Sequence, residues 1–400
     1  MTRTGNARLR WAGGLTAVTT IAALSALSLP AQAAPEGVVL GAGAPGAVSG
    51  SYIVTLKGGT KAPSDLGKSI AEKYGAKISQ TYGTALNGYA VRVDERQARR
   101  LAADSRVASV VQDTTVTLDH YQKNPPSWGL DRIDQRNQPL DRGYTWPEPA
   151  GAGVTVYVID TGIRISHKDF GGRASYGWDF VGNDRIAADA NGHGTHVAGT
   201  IAGTGYGVAK QAKVVAVRVL DATGAGTTAQ VIAGIDWVTR HARKPAVANL
   251  SLGGYANVQL DAAVRNSIAS GVSYAVAAGN DRLPAGLYSP ARLPQAITVG
   301  ASDQKDARAS FSNWGSSLDL FAPGVAITSD SSASDTAKAT FSGTSMATPH
   351  VAGAAALYLA EHSKATPAQV SQALVRQAVP GKIKAAGAGS PNRLLQVDSP

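Results

Sequence analysis

Residues 341–360 read FSGTSMATPHVAGAAALYLA, a small-residue turn running straight into an apolar helix. Gly343-Thr344-Ser345 forms the turn, so the Ser345 hydroxyl is expected at a helix N-terminus, on a rigid element and free of bulky neighbours. A serine placed there is either a nucleophile or an N-cap. The stretch alone leaves both readings open. The choice falls to the rest of the chain, which must supply a His and an Asp in matching settings. No G-x-S-x-G elbow is present, so the hydrolases built on that turn are not indicated.

Outward from this stretch, the chain after Trp128 alternates short β-branched runs with helical segments. Residues 154–159, 213–220, 246–250, 272–277 and 296–300 are nearly continuous apolar runs, the pattern of parallel strands buried on both faces. Residues 227–243, 258–270, 345–359 and 367–376 carry helical periodicity. The alternation predicts an α/β fold: an open, mostly parallel sheet with helices on both faces and ligands at the C-terminal strand ends.

The chemically notable residues fall at those ends. Asp160 closes the run VTVYVI ahead of Thr161-Gly162, either as a turn cap or as a carboxylate presented at a strand end. His193 lies in Asn191-Gly192-His193-Gly194-Thr195-His196-Val197-Ala198-Gly199. Two histidines three apart invite a metal reading, but there is no H-E-x-x-H and no acidic third ligand nearby. One reactive histidine, His193, and one packed histidine, His196, is the more natural division. Asn280 follows an Ala-Ala-Gly bend, as a turn residue or as an amide that donates to an anionic oxygen. Gly224-Ala225-Gly226 and Ser251-Leu252-Gly253-Gly254 are ordinary turns or bare backbone rims that pair with an extended peptide. Gly203, Gly205 and Gly207 imitate a dinucleotide loop but lack G-x-G-x-x-G between strand and helix.

Length and composition set further bounds. The 400 residues suffice for a large core plus a smaller domain, and there is no cysteine, which excludes disulfides and thiolate chemistry. The net charge is +10. About half of that excess precedes residue 123, and the remainder is scattered, so no nucleic-acid surface is indicated. Residues 1–33 combine Arg3, Arg8 and Arg10 with an apolar core and Ala31-Gln32-Ala33, the pattern of a secretory signal peptide. No later run is long and apolar enough to span a bilayer, so the mature form is expected outside the cell, not membrane-bound. Residues 34–50 form a spacer, and 51–118 read as a small α+β domain of ferredoxin-like type. Residues 119–127 are polar and turn-rich, a candidate processing region before the large domain, 128–400.

Together these motifs resemble the subtilisin-like serine proteases, in particular the proteinase K-like branch of secreted bacterial enzymes. The resemblance rests on Val158 to Gly162, Asn191 to Gly199, Ser251 to Gly254, Ala277 to Asn280 and Gly343 to His350, in the order Asp, His, Ser. It implies that Ser345 is the nucleophile, His193 the base and Asp160 its orienting partner, with Asn280 holding the oxyanion. It also implies a substrate groove lined by Ala277, Gly279, Tyr288 and residues Ser251, Leu252, Gly253 and Gly254, with Gly224, Ala225 and Gly226 as the opposite rim. No Asp stands at those lining positions, so a broad preference for aromatic or aliphatic residues before the cut is expected. Residues 51–118 resemble the family's propeptide, an intramolecular inhibitor and folding aid for a monomeric, self-processing enzyme acting on polypeptides. Near relatives carry disulfides that this chain lacks. The resemblance implies structural calcium instead, on the Pro294 and Ala296 carbonyls with Asp319, and on Asp131, Asp134, Gln135 and Asp141.

Overall fold

A computed structural model describes residues 35–44, 46–116 and 120–397; the expected signal peptide lies outside them. The chain divides into two units, the first ending at Val116 and the second starting at Thr117.

In the first unit, strands Val39–Leu40, Ala47–Leu56, Lys77–Tyr82, Gly88–Arg92 and Val107–Thr114 make one sheet, in the spatial order first, fifth, second, fourth, third. Helices Asp65–Lys73 and Glu95–Ala102 begin at Ser64 and Asp94, whose side chains accept from the N–H groups of Gly67 and Gln97. Those caps satisfy first-turn donors and fix where each helix starts. Ile70, Ala71, Ala98 and Leu101 then pack on Tyr52, Val54, Tyr89, Val91 and Val110 as a separate core.

The second unit is built on a nine-stranded sheet. Its strands, in chain order, are β1 (Thr155–Asp160), β2 (Ala174–Asp179), β3 (Lys213–Arg218), β4 (Ala246–Leu250), β5 (Ser273–Ala277), β6 (Ile297–Ser302), β7 (Leu320–Pro323), β8 (Val379–Pro380) and β9 (Arg393–Leu394). They lie in the order β8-β9-β7-β6-β5-β4-β1-β3-β2, all pairs parallel except β8 with β9. Helices α1 (His193–Ala202), α2 (Thr228–His241), α3 (Val258–Ala269), α4 (Thr344–Glu361) and α5 (Pro367–Gln377) cover both faces. The alternation along β1 shows how. Val156 and Val158 face the core that holds Val197 and Ile201 of α1, Val351 and Ala355 of α4, and Leu374 of α5. Tyr157 and Ile159 face the opposite core, with Val231 and Ile235 of α2 and Leu260 and Val264 of α3. A strand apolar on both sides can only sit inside such a sandwich.

After β1 the chain runs to one side of the sheet, through β2 and β3, and then returns to build β4 to β7 on the other. The crevice at such a reversal is where open α/β sheets bind ligands. Asp160 ends β1 at that crevice, with Ser251 just past β4 and Ala278 to Asp281 just past β5. Residues His120–Lys123, within the expected processing region, form a strand paired with Gly143–Trp146. Among the described residues, no helix is long and apolar enough to cross a membrane.

Candidate active site

Asp160 is fully buried, and its Oδ1 accepts from Thr161 N and from His193 Nδ1, both at 2.7 Å. A carboxylate can only accept here, so Nδ1 carries the proton and Nε2 is left as the basic nitrogen. His193 is the first residue of α1. Its N-cap, Gly192, has φ 105°, a left-handed conformation that suits glycine. Burial pushes the His193 pKa down, but the Asp160 charge and hydrogen bond, with a contribution from Asp189, more than offset this and leave it raised. His196 behaves differently: it is fully buried, its Nε2 meets Ile327 O at 2.9 Å, and burial lowers its pKa to about 4.

Ser345 is not a cap. Helix α4 starts at Thr344 with Gly343 as its N-cap, and no side chain caps it. Ser345 Oγ donates instead to Ser251 O at 3.0 Å. Pro349 lies inside the helix and has no N–H to offer the carbonyl four residues back, which belongs to Ser345. The Ser251 hydroxyl fills that gap, donating to Ser345 O at 2.8 Å while accepting from Asn249 Nδ2 at 2.9 Å. The proline thus opens a carbonyl through which β4 holds the serine.

Asn280 Oδ1 accepts from both Thr344 N and Thr344 Oγ1 at 2.9 Å, which orients the amide. The Asn280 NH2 and the Ser345 N–H border one space: a Cβ on Gly343 would stand 3.7 Å from Asn280 Nδ2 and 3.6 Å from Ser345 N. The Ser345 N–H belongs to the first helical turn, where no intrahelical acceptor exists.

A cavity of about 360 Å³ reaches these groups. Leu252, Gly253, Gly254, Ala277, Gly279 and Tyr288 line it, as do Asn280 and Ser345. Asp281, which was not among the expected lining positions, also lines the cavity and adds an acid to its wall. The bend after β5 carries past Asn280 and brings the next side chain with it, so position 281 was the signal to follow. Tyr255, also unforeseen, lines the cavity and stacks on Tyr288 with ring centroids 5.4 Å apart. Gly224, Ala225 and Gly226 are not among its lining. Their turn is held by Asp221, whose Oδ1 accepts from Thr223 N and Ala225 N, and is tied to the His193 loop by Asn191 Nδ2 donating to Ala222 O at 3.0 Å.

The four oxygen-bearing residues after Trp128 converge on one loop. Asp131 accepts from Arg142 N, Asp134 from Thr145 N, Gln135 from Asp141 N and Asp141 from Gly143 N. Burial, with the charge of Asp141 adding, raises the pKa of Asp131; burial also raises that of Asp134, to about 7. Asp319 accepts from Thr298 N at 2.7 Å, and burial raises it to about 6. Among the described residues, no group of three or more His, Cys, Asp or Glu is arranged to hold a metal ion.

Comparison with known proteins agrees with the geometry. Residues 151–395 match the subtilase family and residues 51–119 match the peptidase inhibitor I9 family. An extracellular serine proteinase of Thermus sp. (strain Rt41A) is 49% identical over 405 residues, spanning 96% of this chain and 98% of that protein. The alkaline serine exoprotease A of Vibrio alginolyticus is 49% identical over 327 residues, 80% of this chain and 60% of that one. The crystal structure of a cold-adapted subtilisin-like serine proteinase superposes with a TM-score of 0.66 at 54% identity, covering 68% of this chain and 97% of its own. The chain therefore belongs to the subtilase family, in its proteinase K-related branch: a secreted serine endopeptidase that acts through a Ser-His-Asp triad and an acyl-enzyme and is made with a cleavable inhibitory propeptide.

Proposed function

We propose that Ser345 is the nucleophile, His193 the general base and acid, and Asp160 the group that fixes the imidazole tautomer. The observation that carries this reading is the 2.7 Å bond from His193 Nδ1 to a fully buried carboxylate, which leaves Nε2 basic. Ser345 Oγ attacks the scissile carbonyl carbon as its proton passes to His193 Nε2. The carbonyl oxygen becomes an oxyanion held by the Asn280 NH2 and the Ser345 N–H. Collapse breaks the C–N bond, the amine leaves with the proton from His193, and water then repeats the sequence on the acyl-enzyme. In this structure Ser345 Oγ donates to Ser251 O, so attack requires the hydroxyl to exchange that acceptor for His193.

The cavity supports a broad preference for aromatic or aliphatic residues before the cut, because its size and glycine walls admit a large side chain. Gly224 to Gly226 serve as the opposite rim of the groove, beside the His193 loop. Residues 51–118 are the inhibitory propeptide, ferredoxin-like in type, a reading supported by the strand–helix–strand–strand–helix–strand order from Ala47 to Thr114. It follows the signal, 1–33, and the spacer, 34–50. Processing within 119–127 releases the catalytic domain, 128–400, as a monomer, and the propeptide also assists the folding of the long-range parallel sheet.

Calcium is the proposed structural ion. Oxygen donors are the type calcium takes, and although no three carboxylates among the described residues already stand in a metal-holding arrangement, Asp131 Oδ1 is buried without a hydrogen-bond partner, an uncompensated position that a cation would satisfy. Asp131, Asp134, Gln135 and Asp141 would hold one ion, and Asp319 with the Pro294 and Ala296 carbonyls another. Kinetics of Ser345→Ala, His193→Ala, Asp160→Asn and Asn280→Ala on an unstructured protein and on short peptides test the assignment. Each should lose turnover while remaining folded; a folded Ser345→Ala with residual turnover equal to the parent would refute it.

A further inference from the structure

We propose that Asp189 is a positioning residue of the reaction, a single carboxylate that locks the His193 loop to the end of the Asp160 strand. The inference rests on the triad assignment above. Helix α1 begins at His193 after the N-cap Gly192, which has no side chain to cap it, so the first-turn N–H groups must find acceptors elsewhere. Asn191 Oδ1 takes His193 N, Thr161 Oγ1 takes Gly194 N, and Asp189 takes Thr195 N while also holding the backbone just ahead of the helix. Asp189 Oδ1 accepts from Gly192 N at 2.8 Å, Asn191 N at 3.0 Å and Thr161 Oγ1 at 2.8 Å. Its Oδ2 accepts from Thr195 N at 2.9 Å and Thr195 Oγ1 at 2.6 Å.

The two ends of this network bracket the triad. Thr161 is the residue after Asp160, and its hydroxyl accepts from Gly194 N at 2.9 Å while donating to Asp189. Gly192, Gly194 and Thr195 surround His193. One carboxylate therefore fixes the backbone on both sides of the histidine relative to the strand that carries its partner. A displacement of about 1 Å in such a constellation costs on the order of 100-fold in rate. Two carboxylates, Asp160 from β1 and Asp189 from the preceding loop, bear on the imidazole, and the negative charge of Asp189 also suits the N-terminus of α1. Arg164 does not neutralise it: its backbone N–H reaches the Thr195 hydroxyl at 3.0 Å, while its guanidinium turns to Asp335 at 2.7 Å.

Asp189→Asn and Thr161→Val, made in the full chain and quantified by active-site titration, test the proposal. Asparagine removes the charge and half of the acceptors; valine keeps the shape of Thr161 but cuts the link to Gly194 N. Both should lower kcat by roughly 10- to 100-fold with KM nearly unchanged, since the cavity residues lie elsewhere. The acid limb of the kcat/KM profile should move to lower pH in Asp189→Asn alone, because only that variant loses a negative charge near His193. Wild-type kcat in both variants, with nothing but a lowered Tm, would overturn the proposal. If Asp189→Asn does not fold, Thr161→Val alone decides by its kcat. Loss of activity in Ser345→Ala alongside unaffected Asp189 and Thr161 variants would sink this inference while leaving the triad intact.

Discussion

Gly194→Ala isolates geometry from chemistry, because it removes no reacting group. A Cβ at position 194 would press into Gly162 O, well inside contact distance, and would stand 3.2 Å from Asp160 Oδ1. The obstacle is backbone at the end of a buried strand, so it cannot swing aside as a side chain would. Ordinary carbon–oxygen approach is about 3.3 Å, which obliges the start of α1 to retreat by about 1 Å. His193, one residue earlier, moves with it, and the 2.7 Å bond to Asp160 is stretched or broken. Misplacement on that scale predicts a fall of about 100-fold in kcat, close to 3 kcal/mol of transition-state stabilisation. KM should change little, because the residues lining the cavity belong to other segments. The assay is steady-state hydrolysis of a chromogenic peptide, with active sites counted by titration and the fold checked by thermal unfolding. A folded Gly194→Ala enzyme within a few-fold of wild-type kcat would refute the reasoning.

Asp281→Asn should lower kcat/KM for substrates with Lys before the cut, relative to Phe, by about 2- to 5-fold, the scale of an exposed ion pair; a set of matched peptides measures it. Arg132 is fully buried and gripped by Asp306 at 2.7 and 3.1 Å, so Asp306→Ala should cost about 3–5 kcal/mol by stranding that charge, read as a fall in Tm or denaturant midpoint. Adding calcium to chelator-treated enzyme should raise Tm, contributing about 2.7 kcal/mol at one hundred times the dissociation constant, and Asp131→Asn should blunt the response. Because His193 must be neutral to accept a proton and its pKa is raised, activity should be absent at acid pH and appear as pH climbs through that raised value. Asp160→Asn should move this limb to lower pH in whatever activity remains, as a profile of kcat/KM against pH would show.

Much of the architecture was legible because burial on both faces writes itself into a sequence. Residues 246–250 were marked as a strand by a nearly continuous apolar run, and all five positions are buried. The small first unit was read as an α+β domain, and the caps Ser64 and Asp94 that start its two helices emerged with the structure. Strand β2, ASYGWD, escaped because it sits at the edge of the sheet, half exposed and mixed in polarity, so neither a continuous apolar run nor strict alternation appears. At the site, the local settings of Asp160, Asn280 and Ser345 left a structural reading open beside the catalytic one, and the roles of these residues and His193 came from the resemblance of the motifs taken together. The contacts that support them were not legible: the exchange between Ser251 and Ser345 joins residues 94 apart, and depends on where β4 lies relative to the start of α4. Asp189 was missed for a related reason. Its importance lies in five hydrogen bonds that exist only once the loop has closed onto Thr161.

The central claim is that Ser345 is the activated nucleophile of a precursor that cuts itself free. Intact mass of the secreted protein after exposure to a serine-directed phosphonyl fluoride, beside Ser345→Ala, tests it most directly. A chain shortened by the loss of its propeptide and carrying one adduct, against an unmodified and uncut Ser345→Ala, is the predicted result. A folded parent that takes no adduct, or a Ser345→Ala chain that still processes and still reacts, would contradict it.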